Sequence, residues 1–204
     1  MARCGCAKDV FQTPRAQFMF SRMVQAHRKI PQIVLVSGAP GAGKTTLAVP
    51  LAAELGFPLF SKDFIKETLV DELGAAQGSI ESNRKIGSAA MELIWSLARQ
   101  APFAVLEANF RPKNAYEIGK IRGLRANLVE VHCHCGPEEA ARRFKARAAS
   151  PQNHAAHPMR ELTADLLNEY DRPLNLGPLL EVDTKHPVDT VELAQKVRTA
   201  FGHF

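Results

Sequence analysis

The stretch Gly38-Ala39-Pro40-Gly41-Ala42-Gly43-Lys44-Thr45 fits the pattern G-x-x-x-x-G-K-[ST] at every position. Before it runs Ile33-Val34-Leu35-Val36, a continuous β-branched apolar segment of the kind buried on both faces of a parallel sheet. After it, Thr46 to Leu55 reads as a helix that ends at Gly56, a natural C-terminal stop. A buried strand, a glycine-rich loop and a helix in that order make a phosphate cradle. Glycines let backbone N–H groups turn inward and come close to phosphate oxygens. The helix N-terminus directs its positive end at the same place. Lys44 adds a mobile positive charge, and the Thr45 hydroxyl is a ligand type suited to Mg²⁺. Binding of a nucleoside triphosphate is the firmest functional expectation.

The rest of the chain repeats the alternation. Short apolar strands are expected at Phe57–Phe60, Phe103–Leu106, Leu128–Cys135 and Leu179–Val182. Helices are expected over Asp63–Leu73, Glu81–Gln100, Asn114–Leu124, Glu138–Ala148, Thr163–Tyr170 and Val188–Phe201. In the second of these, Ile86, Ala90, Leu93, Ile94 and Leu97 have helical spacing. In the first, Phe64, Ile65, Leu69 and Val70 are available to pack. Residues 150–158, SPQNHAAHP, read as a mobile loop. Strands alternating with helices predict an α/β/α sandwich around a parallel sheet of about five strands.

Residues 1–31 form an expected appendage to a domain over 32–204. Phe11, Phe18, Met19, Met23 and Val24 give a short apolar stripe on a helix from about Gln12 to His27, suited to docking on the main domain or, alternatively, to a membrane surface or a partner protein. Charge separates the two parts. The formal net charge is +5, and the first 30 residues hold six basic side chains against Asp9 alone. The remainder is therefore balanced, which argues against a nucleic-acid surface on the body. No apolar run reaches the roughly 20 residues of a membrane helix. With no apolar signal core and two C-x-C pairs rather than a dense disulfide framework, the expected setting is the reducing cytoplasm.

The second expected strand ends Phe60-Ser61-Lys62-Asp63, which puts a carboxylate at the carboxyl edge of the sheet, where ligands bind. Asp63 there is a proton acceptor for an attacking hydroxyl, a group that helps hold its metal shell, or the N-cap of the next helix. His132-Cys133-His134-Cys135 looks like a metal cluster. Strand alternation, however, sends the thiols to one face and the imidazoles to the other, and the expected role is sheet core. Trp95 is likewise expected in the core.

From Ile33 onward the chain resembles small P-loop kinases of the zeta-toxin and chloramphenicol-phosphotransferase-like group, and more broadly the nucleoside/nucleotide-kinase-like phosphotransferases. The resemblance rests on GAPGAGKTTLA, LFSKDFIKETL, VLEANFR, VEVHCHC with GPEEAARRFKAR, and LLEVDT, in the family's order. It implies a kinase that moves the γ-phosphate of ATP to a hydroxylated small molecule, with ATP and Mg²⁺ as cofactors. It implies nucleotide contacts from Gly38 through Thr46, from Arg142 lying over the adenine, and from Thr184. It also implies Thr45 and Glu107 at the metal, Lys44 at the phosphates and Asp63 as general base. Asn109 and Arg111 would face the acceptor. Glu138–Ala148 would begin a lid over about residues 137–160, with Arg143 and Arg147 as candidate catalytic cations four residues apart on one helix face. The lid departs from the pattern: Ser150 to His157 holds His154 and His157 but no arginine. Two other readings stay open, a kinase for nucleic-acid 5′ ends and a nucleotide-dependent regulatory protein acting through a partner.

Overall fold

A computed structural model describes residues 30–73 and 80–202. The expected N-terminal helix lies outside the described residues.

The chain runs β1 (Gln32–Gly38), α1 (Lys44–Leu55), β2 (Leu59–Ser61), α2 (Lys62–Glu72), α3 (Ile80–Ala98), β3 (Phe103–Glu107), α4 (Ala115–Gly123), β4 (Asn127–His134), α5 (Pro137–Ala149), α6 (Ala164–Tyr170), β5 (Leu179–Asp183) and α7 (Thr190–Ala200). The strands form one sheet in the order β2-β3-β1-β4-β5. Every pair is parallel.

The period of two along β1 divides the interior. Val34 and Val36 face one core with Leu47, Leu51, Val131 and Val197. Ile33 and Leu35 face the other with Ile94, Trp95, Leu106 and Ile121. Helices therefore cover both faces, and the three-layer sandwich of the sequence reading is the observed fold. Trp95 is fully buried, with its ring 5.9 Å from that of Phe110.

Periodicity located the helices better than their buried faces. Ile94 and Ala90 of α3 are buried, but Leu93 and Leu97 are 42% and 41% exposed. The sheet contact takes the stripe through Ile94, Trp95 and Ala98, so Leu93 and Leu97 lie outside it. In α2, Val70 is buried while Phe64 is 70% exposed on another side of the helix. The second strand starts two residues later and ends one later than expected, at Leu59–Ser61, because it pairs only with the end of β3.

The parallel arrangement brings all carboxyl ends to one edge. Val36 and Ser61 both lie level with Glu107, Gly38 with Cys133, and Asp183 with His134. The loops leaving these positions enclose the site.

Candidate active site

The phosphate loop is shaped by close backbone approach. A Cβ on Gly38 would lie 2.2 Å from the Cys133 carbonyl oxygen, and one on Gly41 would lie 2.2 Å from that of Ala140. Gly38, Gly41 and Gly43 have φ of 133°, 84° and 77°, open to glycine and strained for other residues. Ala42 N–H donates to the Ala39 carbonyl at 3.0 Å and closes the turn around half-buried Pro40. Helix α1 begins at Lys44 with Gly43 as N-cap and no capping side chain, which leaves its first amides free for an anion. Thr45 and Thr46 stand exposed in that first turn. Thr184, just past β5, holds the loop from outside. Its hydroxyl lies 2.8 Å from the Ala42 carbonyl oxygen and 3.0 Å from that of His134.

Lys44 is only 7% exposed, and its Nζ donates to the Ala39 carbonyl at 2.9 Å across the loop. Burial pushes its ammonium below the ordinary lysine range, while the charges of Glu107 and Asp63 act the other way and that of Arg147 adds to the lowering. Four groups from four separate elements thus share one electrostatic neighbourhood. Glu107, at the end of β3, is 2% exposed. It accepts a hydrogen bond from Ser61 Oγ at 2.5 Å and one from the Thr45 hydroxyl. Burial raises its carboxyl above the usual carboxylate range, against the pull of Lys44.

Asp63 stands half-buried in the first turn of α2. The N-cap of that helix is Ser61, whose hydroxyl is committed to Glu107, so Asp63 is not the cap. Two carboxylates and a threonine hydroxyl are all-oxygen donors, and Mg²⁺ takes few protein ligands and keeps water and phosphate oxygens. The residues at this edge fit that ion.

The α5 arginines divide. Arg143 Nε donates to Glu139 at 2.6 Å and Nη2 to the Thr184 carbonyl at 3.1 Å, beside Gly43. Arg142, expected over the adenine, has its side chain 69% exposed and makes two 2.7 Å bonds to Glu139. Successive helical residues differ by about 100° in direction, and the neighbour takes the inward position. The two guanidiniums hold the Glu139 carboxyl down at about 2. Arg147, one turn on, has its guanidinium 5.5 Å from the Phe144 ring centre, and it is the arginine whose charge reaches Lys44.

Asn109 is half-buried in the loop after β3. Arg111, two residues on, is clamped. Its backbone N–H and its Nε donate to the two oxygens of buried Glu117, at 2.9 and 2.8 Å. Asn114 caps α4 by accepting from Glu117 N–H at 3.1 Å, which fixes that carboxylate. The sequence reading missed Ser61, Glu117 and Glu139; each is a common surface residue type whose partner is known only once the loops are folded.

The HCHC strand splits as alternation requires. Cys133 lies in one core, with burial pushing its thiol up to about 12. His132 lies on the other face, with Nδ1 2.9 Å from Ser37 Oγ. No group of three or more His, Cys, Asp or Glu side chains placed to hold a metal occurs among the described residues. Nor is any helix among them long and apolar enough to cross a membrane.

The fold and this edge define a P-loop nucleotide-binding α/β protein. Residues 33–173 match the AAA domain family AAA_33, and the chain belongs to that family. A protein of Chloroflexus aurantiacus assigned as a kinase superposes with a TM-score of 0.73 at 28% identity, covering 84% of this chain and 99% of that one. Kti12 of Chaetomium thermophilum, in complex with ADP-AlF3, gives 0.57 at 18% identity over 84% and 100% of the two chains. A gluconokinase of Sinorhizobium meliloti gives 0.50 at 17% over 85% and 93%. The last two show the fold alone. The RuvB subunit of the Holliday junction branch migration complex of Thermobifida fusca is 55% identical over 38 residues. That segment is 19% of this chain, which spans 11% of RuvB.

Proposed function

We propose that the protein is an ATP- and Mg²⁺-dependent phosphotransferase that moves the γ-phosphate of ATP to a hydroxyl of a small molecule. The observation that carries this reading is Lys44, buried in the phosphate loop within reach of the charges of Glu107, Asp63 and Arg147. The Chloroflexus aurantiacus protein, assigned as a kinase and matched over 99% of its length, supports it.

In this reading the loop amides and Lys44 hold the β- and γ-phosphates. Thr45 and Glu107 would hold Mg²⁺, which when bound offsets phosphate charge. Asp63 accepts the proton of the acceptor hydroxyl as its oxygen bonds to the γ-phosphorus and the bond to the β-phosphate oxygen breaks. Lys44 and Arg147 stabilise the charge on the transferring group. Arg143 and Thr184 stand at the nucleotide side; Asn109 and Arg111 face the acceptor. The zeta-toxin and chloramphenicol-phosphotransferase-like group is the finer kinship we favour, on its acid-x-Asn-x-Arg segment at Glu107–Arg111. The buried thiols of Cys133 and Cys135 are free, which suits a reducing cytoplasm.

The test is ADP release from Mg-ATP across a panel of hydroxylated acceptors, with wild type beside Asp63→Asn and Lys44→Ala. Acceptor-dependent turnover is expected, falling by about 10²–10⁴ in Asp63→Asn and about 10²–10³ in Lys44→Ala. Slow, acceptor-independent turnover that survives Asp63→Asn would replace this reading with a hydrolase or a nucleotide-gated binding protein.

A further inference from the structure

The SPQNHAAHP segment is no free loop. It folds on itself: Asn153 N–H donates to the Ser150 carbonyl at 3.0 Å, and His157 N–H to the His154 carbonyl at 2.9 Å. Ala156 is fully buried, and Arg160 ties the segment's exit back to the Ala148 carbonyl.

Three of its groups reach α2. His154 Nε2 lies 3.1 Å from Asp71, His157 Nε2 lies 2.8 Å from Glu67, and Lys66 Nζ donates to the Ala156 carbonyl at 2.6 Å. The His154 ring is set by its other nitrogen: Nδ1 accepts from Ala156 N–H at 3.0 Å, so Nε2 carries the proton offered to Asp71. Asp63, Glu67 and Asp71 recur every four residues, so they lie along one side of α2.

Topology says what this contact crosses. Helix α5 leaves β4, whereas α2 follows β2, and β1 and β3 lie between them in the sheet. Three strand spacings are about 14 Å. Helix α5, at about 1.5 Å per residue, is long enough for that span. The path from α5 through residues 150–158 to α2 therefore runs from the β4 side of the sheet to the β2 side, past β1 and β3, whose carboxyl ends carry the phosphate loop and Glu107.

We propose that residues 150–158 are a strap latched to α2 over the phosphate position. In this proposal His154, His157 and Lys66 are positioning residues that decide whether the phosphoryl group goes to the acceptor hydroxyl or to water. The inference rests on the phosphotransfer reading. With the strap open, a water oxygen bonds to the γ-phosphorus and the bond to the β-phosphate oxygen breaks. ADP leaves with the electron pair, and inorganic phosphate and a proton are the other products. With it latched, water is kept from that position.

The test pairs two readouts on the full chain, for wild type, the double variant His154→Ala/His157→Ala, Lys66→Met, and the double variant His154→Gln/His157→Gln, which keeps an N–H donor. One is hydrogen exchange of the amides of residues 150–158. The other is ADP and phosphate release from Mg-ATP with water as the only acceptor. The alanine and methionine variants are expected to exchange faster in the strap and to raise acceptor-free release severalfold; the glutamine pair is expected to restore both toward wild type. Strap exchange unchanged in both loss variants overturns the latch. Faster exchange with unchanged ADP release overturns the water-excluding role. Failure of the phosphotransfer reading shows separately, as wild-type turnover that no alcohol stimulates, and the exchange comparison still decides the latch.

Discussion

The two flanks of the cleft are held by different means. On the β1–β4 flank, backbone meets backbone. Gly38 and Gly41 sit where a Cβ would come within 2.2 Å of a carbonyl oxygen, and neither carbonyl can give way without moving β4 or α5. On the β2–β3 flank, side chains meet across long stretches of chain. The Ser61–Glu107 bond joins residues 46 positions apart, and the His157–Glu67 contact joins residues 90 apart. The first arrangement tolerates almost no change. The second yields by degrees, because each contact can be lost while the others stay.

The largest expected effect tests the first half of that contrast. Gly41→Ala places a methyl group against the Ala140 carbonyl at a φ of 84°. Backbone strain of this kind costs about 1–3 kcal/mol before any steric clash is added. Gly41→Ala should lower the urea midpoint and abolish ADP binding by calorimetry. Gly56→Ala is the control. Its φ is also positive, 70°, but nothing lies within 4 Å of the added Cβ. Only the left-handed penalty of about 1–2 kcal/mol applies there, and ADP binding should be intact. Equal behaviour of the two variants would break the comparison.

The second expectation addresses the graded flank. Burial raises the Glu107 carboxyl above its ordinary 4.5. In the window between 4.5 and its folded value, the folded protein keeps a proton that the unfolded chain has released. The folded state then binds more protons, so stability is highest below the window and falls as pH rises through it. The slope from this one group is at most about 1.4 kcal/mol per pH unit. Apparent Mg²⁺ affinity in the presence of ADP should move the opposite way, rising with pH as the carboxylate forms. Glu107→Gln should flatten both profiles, as read by urea unfolding and Mg²⁺ titration at a series of pH values. A variant that keeps the wild-type slopes would show that Glu107 does not titrate there.

The same contrast explains what could be read in advance. The phosphate loop is contiguous, and its residue types are each demanded by backbone geometry, so spacing alone disclosed Gly38 to Thr45 and the strand and helix around it. Alternation of strands and helices disclosed the sandwich. The strap was not legible: nothing near His154 in the chain points to Asp71, 83 positions away. Phe64 and Leu93 failed for a related reason. Helical spacing marks an apolar stripe but not which part of it the sheet will cover. Glu117 and Glu139 were hidden because an acid three to six residues from an arginine is ordinary surface patterning until a fold gives one of the pair a second contact.

Arg142 and Arg143 give the finest test, since they are adjacent and share Glu139. Arg143 also reaches the Thr184 carbonyl, which belongs to the segment that steadies the loop at Ala42. Among the described residues Arg142 bonds only to the carboxylate, and it is mostly in water. An exposed pair of this kind contributes little to stability, so Arg142→Ala should leave the KM for ATP and the urea midpoint near wild type. Arg143→Ala removes a charged hydrogen bond of about 1.5–3 kcal/mol and should raise the KM for ATP by about tenfold or more with little change in kcat. The shared carboxylate makes the outcome diagnostic. If Glu139 serves to hold Arg143, losing Arg142 frees both its oxygens for the arginine that matters, and Glu139→Gln should resemble Arg143→Ala. If Arg142→Ala instead raises KM as much as Arg143→Ala does, the carboxylate is organising α5 as a whole, and the nucleotide flank depends on side-chain pairs as much as the acceptor flank does.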